Sequence, residues 1–148
     1  MPDPEPDLVD SLVQSSFLVQ GVLRRVARRH DVSVIQMRLL GILRDREPGV
    51  LVLARHLGLD KSSVTGLVDR AEGRGLVERV ADPDDGRAVR VRLTGDGRAL
   101  ATTGAAEVAG ELATVAAGLT AAQRRQLAGL LSRIVGPVAR SADRPPGG

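Results

Sequence analysis

The chain has 148 residues, 43% of them hydrophobic, with no cysteine, tryptophan or tyrosine and one phenylalanine. This length supports one domain whose core must be aliphatic, and the lack of cysteine excludes disulfides, thiolate metal sites and thiol redox sensing. The formal net charge of +3 favours a polyanionic partner only weakly, so a nucleic-acid surface would have to come from the placement of basic residues.

The two ends of the chain contribute little to a fold. Residues 1–7, MPDPEPD, hold three prolines and three acids, which do not match the basic start of a secretory signal and predict a disordered tail. Residues 141–148 end in Pro-Pro-Gly-Gly and are expected to form a second disordered tail. No apolar run approaches the ~20 residues needed to span a bilayer. We therefore expect a soluble cytoplasmic protein without a membrane partner.

A first helix is predicted over residues 8–29. Its apolar positions form a stripe too broad for one neighbour: Val9, Leu12, Val13, Phe17, Leu18, Val19, Val22, Leu23, Val26 and Ala27. Arginines and a histidine close this helix, where cations suit the negative end of the helix dipole; contact with a DNA backbone is the alternative. A capping box, Ser33 with Gln36, then starts a second helix that Pro48-Gly49 ends.

The stretch from Leu53 to Thr94 predicts a helix, a turn and another helix. Gly58 gives the turn its backbone freedom, and Asp60 follows at the N-cap position, able to accept from the amide of Ser63. An apolar stripe predicts the buried face of the later helix: Val64, Leu67, Val68 and Ala71. The opposite face is small and polar, which suits a recognition helix in a major groove; a solvated surface helix is the alternative.

A hairpin is predicted directly after this helix. Gly73 and Gly75 end the helix, residues 76–80 are predicted to form a strand, and Asp85-Gly86 is a hairpin signal. The return strand alternates between an apolar and a basic face: Val89, Val91 and Leu93 against Arg90 and Arg92. A helix-turn-helix followed at once by a basic hairpin is a winged helix.

These motifs resemble the MarR family of bacterial transcriptional regulators. Five segments carry the resemblance: Leu53-Ala54-Arg55-His56-Leu57, Val64-Thr65-Gly66-Leu67-Val68, Gly75-Leu76-Val77-Glu78-Arg79, the Asp-x-Arg wing Asp85-Gly86-Arg87, and Val91-Arg92-Leu93-Thr94. Two positions depart from the family pattern, because Gly66 stands where relatives often present a side chain and Gly86 replaces a basic wing residue. Both departures concern base specificity more than the fold.

The resemblance implies double-stranded DNA as the partner. The candidate contact residues are Lys61, Ser62, Ser63, Thr65, Gly66 and Arg70 on the recognition helix, and Asp85, Arg87 and Arg90 on the wing. The Asp-x-Arg spacing implies that Asp85 orients the guanidinium of Arg87 for a narrow minor groove, whose negative potential attracts arginine. A local ion pair within the hairpin is the alternative. Lys61 and Arg90 are candidate phosphate contacts.

Two further helices follow the wing, the first capped by Thr94 and the second by a capping box, Thr120 with Gln123. With the first helix they hold more apolar surface than residues 33–93 can cover, which is rare in soluble monomers. Residues 8–29 and 94–140 are therefore expected to be dimerisation helices, and the resemblance implies a two-fold homodimer; a monomer with a three-helix annex is the alternative.

The predicted fold class is mainly α with a small β-hairpin wing. A winged helix-turn-helix lobe, residues 33–93, lies within a single domain over residues 8–140. We do not expect an enzyme, a metal or a cofactor, because His30 and His56 have no carboxylate or thiol at ligand spacing. Ser62-Ser63 likewise has no base partner that the sequence identifies.

The resemblance also implies a small-molecule effector, since relatives often bind aromatic or phenolic anions between the dimer helices and the DNA-binding lobe. Phe17, Met37 and Arg38 are the candidates for lining such a pocket, and ordinary core positions are the alternative. A single aromatic residue makes recognition by stacking poor, and the ligand is left open. We expect a homodimeric repressor on a pseudo-palindromic operator; the alternative is a winged-helix protein-interaction module without DNA binding.

Overall fold

The computed structural model describes residues 4–144, and over that range the chain is mainly α-helical with one antiparallel hairpin. In chain order the elements are α1 (Leu8–Arg29), α2 (Val34–Ile42), α3 (Val50–Leu57), α4 (Lys61–Gly73), β1 (Val77–Ala81), β2 (Val89–Leu93), α5 (Gly95–Val115), a 3₁₀ turn (Ala116–Gly118) and α6 (Ala121–Asp143). The predicted fold class, mainly α with a β-hairpin wing, is confirmed.

Capping side chains start the helices where the sequence predicts them. Ser33 Oγ accepts from the amide of Gln36 at 3.1 Å, and the Gln36 carboxamide accepts from the amide of Ser33 at 3.0 Å. Thr120 and Gln123 repeat this box at the start of α6. Asp7, the last residue of the predicted tail, is the N-cap of α1. Residues 1–3 of that tail lie outside the described residues.

The core lies in a lobe formed by α2, α3, α4 and the hairpin, and it is closed by the ends of α1 and α5. The stripe predicted on α4 is buried: Val64, Leu67, Val68 and Ala71. These side chains belong to one cluster with leucines and valines of the neighbouring elements: Leu39, Leu40, Leu43, Leu53, Val77 and Val91. Burying one such side chain contributes roughly 1.5–3 kcal/mol, so the cluster fixes which face of α4 points outward.

The hairpin pairs β1 with β2 from Val77 opposite Leu93 to Ala81 opposite Val89. Val91 and Leu93 face the core, whereas Val89, at the wing end of the strand, is 47% exposed. The amide of Val91 donates to the carbonyl of Pro48 at 2.9 Å, and Gly49 forms a β-bridge with Arg90. The prediction that Pro48-Gly49 ends the second helix is wrong, because α2 already ends at Ile42. The segment precedes α3 instead and anchors the wing to the lobe.

Two glycines have conformations or contacts that a side chain would disturb. Gly58, in the turn between α3 and α4, has a φ of +65°, the left-handed conformation that the predicted turn requires. Gly97, in the first turn of α5, lies so close to β1 that an added Cβ would be 1.8 Å from the carbonyl oxygen of Leu76. This contact sets the position of α5 against the lobe.

The outer helices leave much apolar surface uncovered in the single chain. On α1 only the second half holds buried residues, and none of the residues of α6 is buried. The last turn of α6 differs from the prediction, because the helix continues to Asp143 instead of fraying from Ser141. Contacts with α3 and the loop before it hold this turn. Residues 145–148 lie outside the described residues.

Between residues 4 and 144, no helix combines the length and the apolar character that crossing a membrane requires.

Candidate nucleic-acid interface

The N-terminus of α4 is organised by the carboxylate of Asp60. Its Oδ1 accepts from the amide of Ser63 at 2.7 Å and from the hydroxyl of Ser62 at 3.2 Å. These hydrogen bonds, the backbone one above all, lower the pKa of Asp60 below its ordinary value. The cap therefore stays ionised at neutral pH and holds Ser62 and Ser63 exposed on the first turn, as predicted for the cap.

The outward face of α4 brings the predicted recognition-helix residues together. Lys61, Ser62, Ser63 and Arg70 are exposed, and Thr65 and Gly66 are half-buried between them. Thr65 Oγ1 donates to the carbonyl of Lys61 at 2.9 Å, so its hydroxyl oxygen remains able to accept a hydrogen bond. An added Cβ at Gly66 would lie 3.4 Å from Nη1 of Arg70. The guanidinium of Arg70 thus occupies the space that the missing side chain leaves on this face.

The tip of the wing is shaped by two aspartates that bind backbone amides. Asp82 Oδ1 accepts from the amide of Asp84 at 2.8 Å, and Asp85 Oδ1 accepts from the amide of Arg87 at 3.1 Å. Such Asx turns order the loop through its main chain. Within residues 4–144 no ion pair joins Asp85 to the guanidinium of Arg87, and the hydrogen bond that the structure shows is to the backbone amide of Arg87. That Asp85 orients this guanidinium on DNA stays a prediction.

Arg87 itself is exposed at the wing tip, and within residues 4–144 its guanidinium takes part in no ion pair. Arg90 is different, because its Nε lies 3.8 Å from Oδ2 of Asp82, at the start of the loop that forms the tip of the wing. That distance is too long for a hydrogen bond, and the buried Nε has no partner among the described residues. A phosphate contact by Arg90 stays a prediction. Because Arg90 lies near the carboxylate of Asp82, we expect its contact with phosphate to be weaker than that of Arg87.

Sequence analysis missed the residue that ties the wing to the recognition helix. Arg79 of β1 donates to Asp69 Oδ1 at 2.7 Å and to Glu72 Oε1 at 3.0 Å, both on α4. Glu72 in turn accepts from the amide of Arg79 at 3.2 Å. The only sequence signal was the Val-x-Arg of the family pattern, which gives no partner. This bridge couples the direction of the wing to that of α4.

The cations on α4 and on the hairpin therefore fall into two groups, paired and unpaired. Arg79 is neutralised by the acids of α4, and Arg92 is paired with Glu78 of the opposite strand at 2.6 Å. Lys61, Arg70 and Arg87 form no such pair in the part of the chain that the structure describes. An anion at the first turn of α4 would meet Lys61 and the free amides of the helix N-terminus, which attract phosphate, while Arg70 lies in the last turn of α4 and Arg87 on the wing.

A cavity of about 660 Å³ lies behind this surface, between α2, α5 and the end of α1. Its walls are mainly aliphatic, with three basic side chains, and the lining includes Met37, Leu40, Leu100, Val108, His30, Arg38 and Arg44. Met37 and Arg38 are thus in the cavity, as expected for a pocket. Phe17 is not: it is 63% exposed on the first half of α1, well before the lining residue Leu23. The broad apolar stripe of α1 gave no means of separating these positions.

Two residues that line the cavity make polar contacts with neighbouring helices, one with α5 and one with the end of α3. His30 Nε2 lies 3.1 Å from Oε1 of Glu107 on α5. Arg38 Nη2 donates to the carbonyl of His56, at the end of α3, at 2.7 Å. No group of side chains within residues 4–144 is arranged to hold a metal ion. The arrangement suits an organic anion with an apolar body, and one cavity arginine also contacts the helix-turn-helix.

Comparison with known proteins gives one family model, described as MarR family, over residues 30–88. The chain is 28% identical over 130 residues to the homoprotocatechuate degradative operon repressor of Escherichia coli, across 86% of this chain and 87% of that protein. Its structure is similar to wild-type MarR (apo form) from E. coli, with a TM-score of 0.76 and 25% identity over 89% of this chain and 98% of that one. It is also similar to CouR from Rhodococcus jostii RHA1 bound to p-coumaroyl-CoA, with a TM-score of 0.74 and 28% identity over 86% of this chain and 91% of that one.

Proposed function

We propose that this chain, which belongs to the MarR family of DNA-binding transcriptional regulators, represses transcription as a homodimer on a pseudo-palindromic operator. The observation that carries the proposal is the asymmetry of α4. Its apolar stripe is fully buried, while its other face presents Lys61 and Arg70 to solvent, with the half-buried Thr65 between them. A helix held in this way can enter a major groove without losing any packing in its own lobe.

The homodimer is proposed from the uncovered apolar faces of α1 and α6. Large side chains on these two helices are between 38% and 72% exposed: Leu8, Val9, Leu12, Val13, Phe17, Leu18, Leu127, Leu130, Leu131, Ile134, Val135 and Val138. Apolar surface of this extent is unusual on a monomer and typical of an obligate interface. A second copy of the same chain would cover it with the same helices, which is how a two-fold interface works.

Each half-site is proposed to be read by one α4 and one wing. The N-terminal residues of α4 would contact base edges and phosphates through Lys61, Ser62, Ser63, Thr65, Gly66 and Arg70. Arg87 would enter the adjacent minor groove, with Asp85 shaping the loop beneath it and Arg90 near the backbone. Two such units related by a two-fold axis read half-sites about 10 base pairs apart.

We further propose that a small organic anion in the cavity releases the repressor. The support is a cavity of about 660 Å³ with apolar walls and with Arg38 and Arg44 in its lining. CouR, whose structure is similar, has been crystallised with p-coumaroyl-CoA bound. In this chain no phenylalanine lines the cavity, so the apolar part of a ligand would be held by aliphatic contact with residues such as Met37 and Val108.

A mobility-shift titration with the DNA upstream of its own gene tests the proposal. Specific complexes typically have a Kd of about 10⁻⁸–10⁻¹¹ M at physiological salt, and unrelated DNA should bind ~10³-fold more weakly or worse. Two chains should be bound per operator. Binding that is weak and equal for all DNA would favour the alternative, a winged-helix protein-interaction module, which the net charge of only +3 and the bare Gly66 keep open.

A further inference from the structure

We infer that the last turn of α6 is a latch that fixes the winged-helix lobe on the dimerisation helices, with Asp143 as its positioning residue. The inference rests on the homodimer proposed above. It assigns to residues 142–143 a role in setting the distance between the two recognition helices, and therefore in choosing the half-site spacing of the operator.

Three side chains of the lobe converge on this turn. Asp143 Oδ1 lies 2.6 Å from Nε2 of His56, on α3, and 2.7 Å from Nη1 of Arg46, in the loop before α3. Arg55 Nε donates to the carbonyl of Ala142 at 2.9 Å. Helix and lobe are thus joined through a carboxylate and, separately, through a main-chain carbonyl at the negative end of the helix dipole.

The hydrogen positions at this site follow from the distances. At 2.6 Å from a carboxylate oxygen, His56 Nε2 must carry the hydrogen and donate it to Asp143. Arg46 Nη1 lies 3.0 Å from the same nitrogen, but both are donors, so this distance is not a hydrogen bond and only reflects their shared acceptor. The hydrogen bond from His56, followed by the charge of Arg46, holds the pKa of Asp143 below its ordinary value. The acceptor is therefore charged at neutral pH.

The latch lies beyond the weakest point of α6. Pro137 is inside the helix and has no amide hydrogen, so the carbonyl of Arg133 loses its helical hydrogen bond there. Most of the apolar face proposed for the dimer lies before this point, and the residues that touch the lobe lie after it. Without the latch, the hydrogen bond missing at Pro137 would let the last turns of α6 bend, and the lobe would change its angle to the dimer axis. Such a change would move α4 and the wing together with the lobe.

An isolated exposed ion pair would be too weak for this role, since such pairs contribute about 0–1 kcal/mol. Here the side chain of His56 is only 12% exposed, and its other end is also held, because the backbone carbonyl of His56 accepts from Arg38 Nη2 at 2.7 Å. His56 thus connects the cavity wall, α3 and α6. The three lobe donors share one short turn, so their geometry restricts the helix more than any one pair would.

Asp143→Ala tests the latch, with Asp96→Ala as its control. Asp96 is exposed in the first turn of α5, so both variants lose one negative charge. A charge effect alone would strengthen DNA binding in both, because the protein becomes more basic. The latch predicts the opposite for Asp143→Ala: roughly tenfold weaker binding to the preferred operator, within the usual range of coupling between sites.

Operators with one base pair inserted or removed between the half-sites complete the binding test. The wild type should reject them strongly, whereas Asp143→Ala should bind them almost as well as the preferred spacing. Unchanged spacing discrimination in Asp143→Ala would overturn the latch. An equal loss on every spacing, accompanied by a lower melting temperature, would also overturn it, because the residue would then only stabilise the fold.

A measurement without DNA separates this inference from the proposed function. The chain has no cysteine, so Gly73→Cys, at an exposed site with open space around it, places one nitroxide label at the end of each α4. The distance between the two labels should be narrowly distributed in the wild-type background and broad or shifted with Asp143→Ala. Identical distributions would refute the latch while leaving repression intact. Failure to bind any operator would count against the proposed function, and the label distances would still report on the latch.

Discussion

Replacing Arg87 with alanine should weaken operator binding and reduce its salt dependence. The guanidinium is exposed at the wing tip and, among residues 4–144, has no ion-pair partner, so its charge is available to the DNA. If each copy neutralises one phosphate, its loss lowers the slope of log K against log salt by about 0.9 per subunit, or about 1.8 per dimer. Between about 50 and about 200 mM salt, that slope difference means the variant loses roughly twelvefold less affinity than the wild type.

The assay is a set of binding isotherms at four or more salt concentrations, on the preferred operator and on single-base variants of it. Arg92→Ala is the matched control, because Arg92 lies in the same hairpin and loses the same charge but is already paired with Glu78 at 2.6 Å. Its salt slope should stay close to the wild-type slope. The loss caused by Arg87→Ala should be nearly uniform across the operator variants, because a cation near the backbone carries little base information.

An unchanged affinity and slope in Arg87→Ala would show that the wing does not touch DNA. A large loss confined to operators with one particular base would show instead that Arg87 reads that base. The same data test the role of Asp85, which binds the backbone amide of Arg87. Asp85→Ala should loosen the loop and weaken binding without changing the salt slope, since the guanidinium remains.

Four further predictions concern the recognition helix, the lobe, the dimer and redox behaviour. Thr65→Ala should cost about 1–3 kcal/mol on the preferred operator and relax discrimination at one base position, as measured on single-base variants. Gly97→Ala should lower the free energy of unfolding by roughly 1–3 kcal/mol in a urea titration, because the new Cβ would meet the carbonyl of Leu76. Deleting residues from Thr120 onward should abolish the dimer in light scattering, because it removes the apolar face of α6. Mild peroxide should leave DNA binding unchanged in a mobility-shift assay, because the chain has no cysteine.

For each of these four predictions, one experimental result would contradict it. Thr65→Ala with full base discrimination would take Thr65 out of the base-reading face. Gly95→Ala is the control for Gly97→Ala, because it lies in open space at the same helix start, and equal destabilisation of the two would refute the steric argument. A folded, dimeric truncation would move the interface away from α6. Loss of binding in peroxide that a thiol reductant restores would mean that the redox chemistry has been misread.

The sequence was sufficient where the determining forces are local. The cap at Asp60, the stripe from Val64 to Ala71 and the turn at Gly58 all lie within a few residues of what they determine. Helical spacing and capping geometry are short-range properties, so one sequence specifies them. The same holds for the boxes at Ser33 and Thr120.

The predictions that differ from the structure concern features that the sequence pattern near them does not determine. The helix α6 extends beyond its predicted end at residue 140, because the partners that stabilise its last turn, Arg46 and His56, are more than 80 residues away in the chain. The Asp85 carboxylate binds a backbone amide, a contact that spacing alone cannot distinguish from one to a guanidinium. In both cases the difference concerns which hydrogen-bond donors a carboxylate binds, that of Asp143 in α6 and that of Asp85 in the wing.

The residues that line the cavity could also be predicted only in part from the sequence. Met37 and Arg38 line the cavity, but most of the opposite wall comes from α5, through residues such as Leu100 and Val108. These positions look like ordinary apolar helix residues in the sequence. Phe17 does not line it, and nothing in the pattern of α1 separates the half that lines the cavity from the half that is exposed.

Selection of bound duplexes from random DNA, followed by binding measurements on the enriched sequences, tests whether this chain binds an operator as a homodimer. We expect a pseudo-palindrome whose half-sites are about 10 base pairs apart, bound by two chains with nanomolar or tighter affinity. A single asymmetric half-site bound with full affinity by one chain, or no enrichment of any sequence, would contradict it.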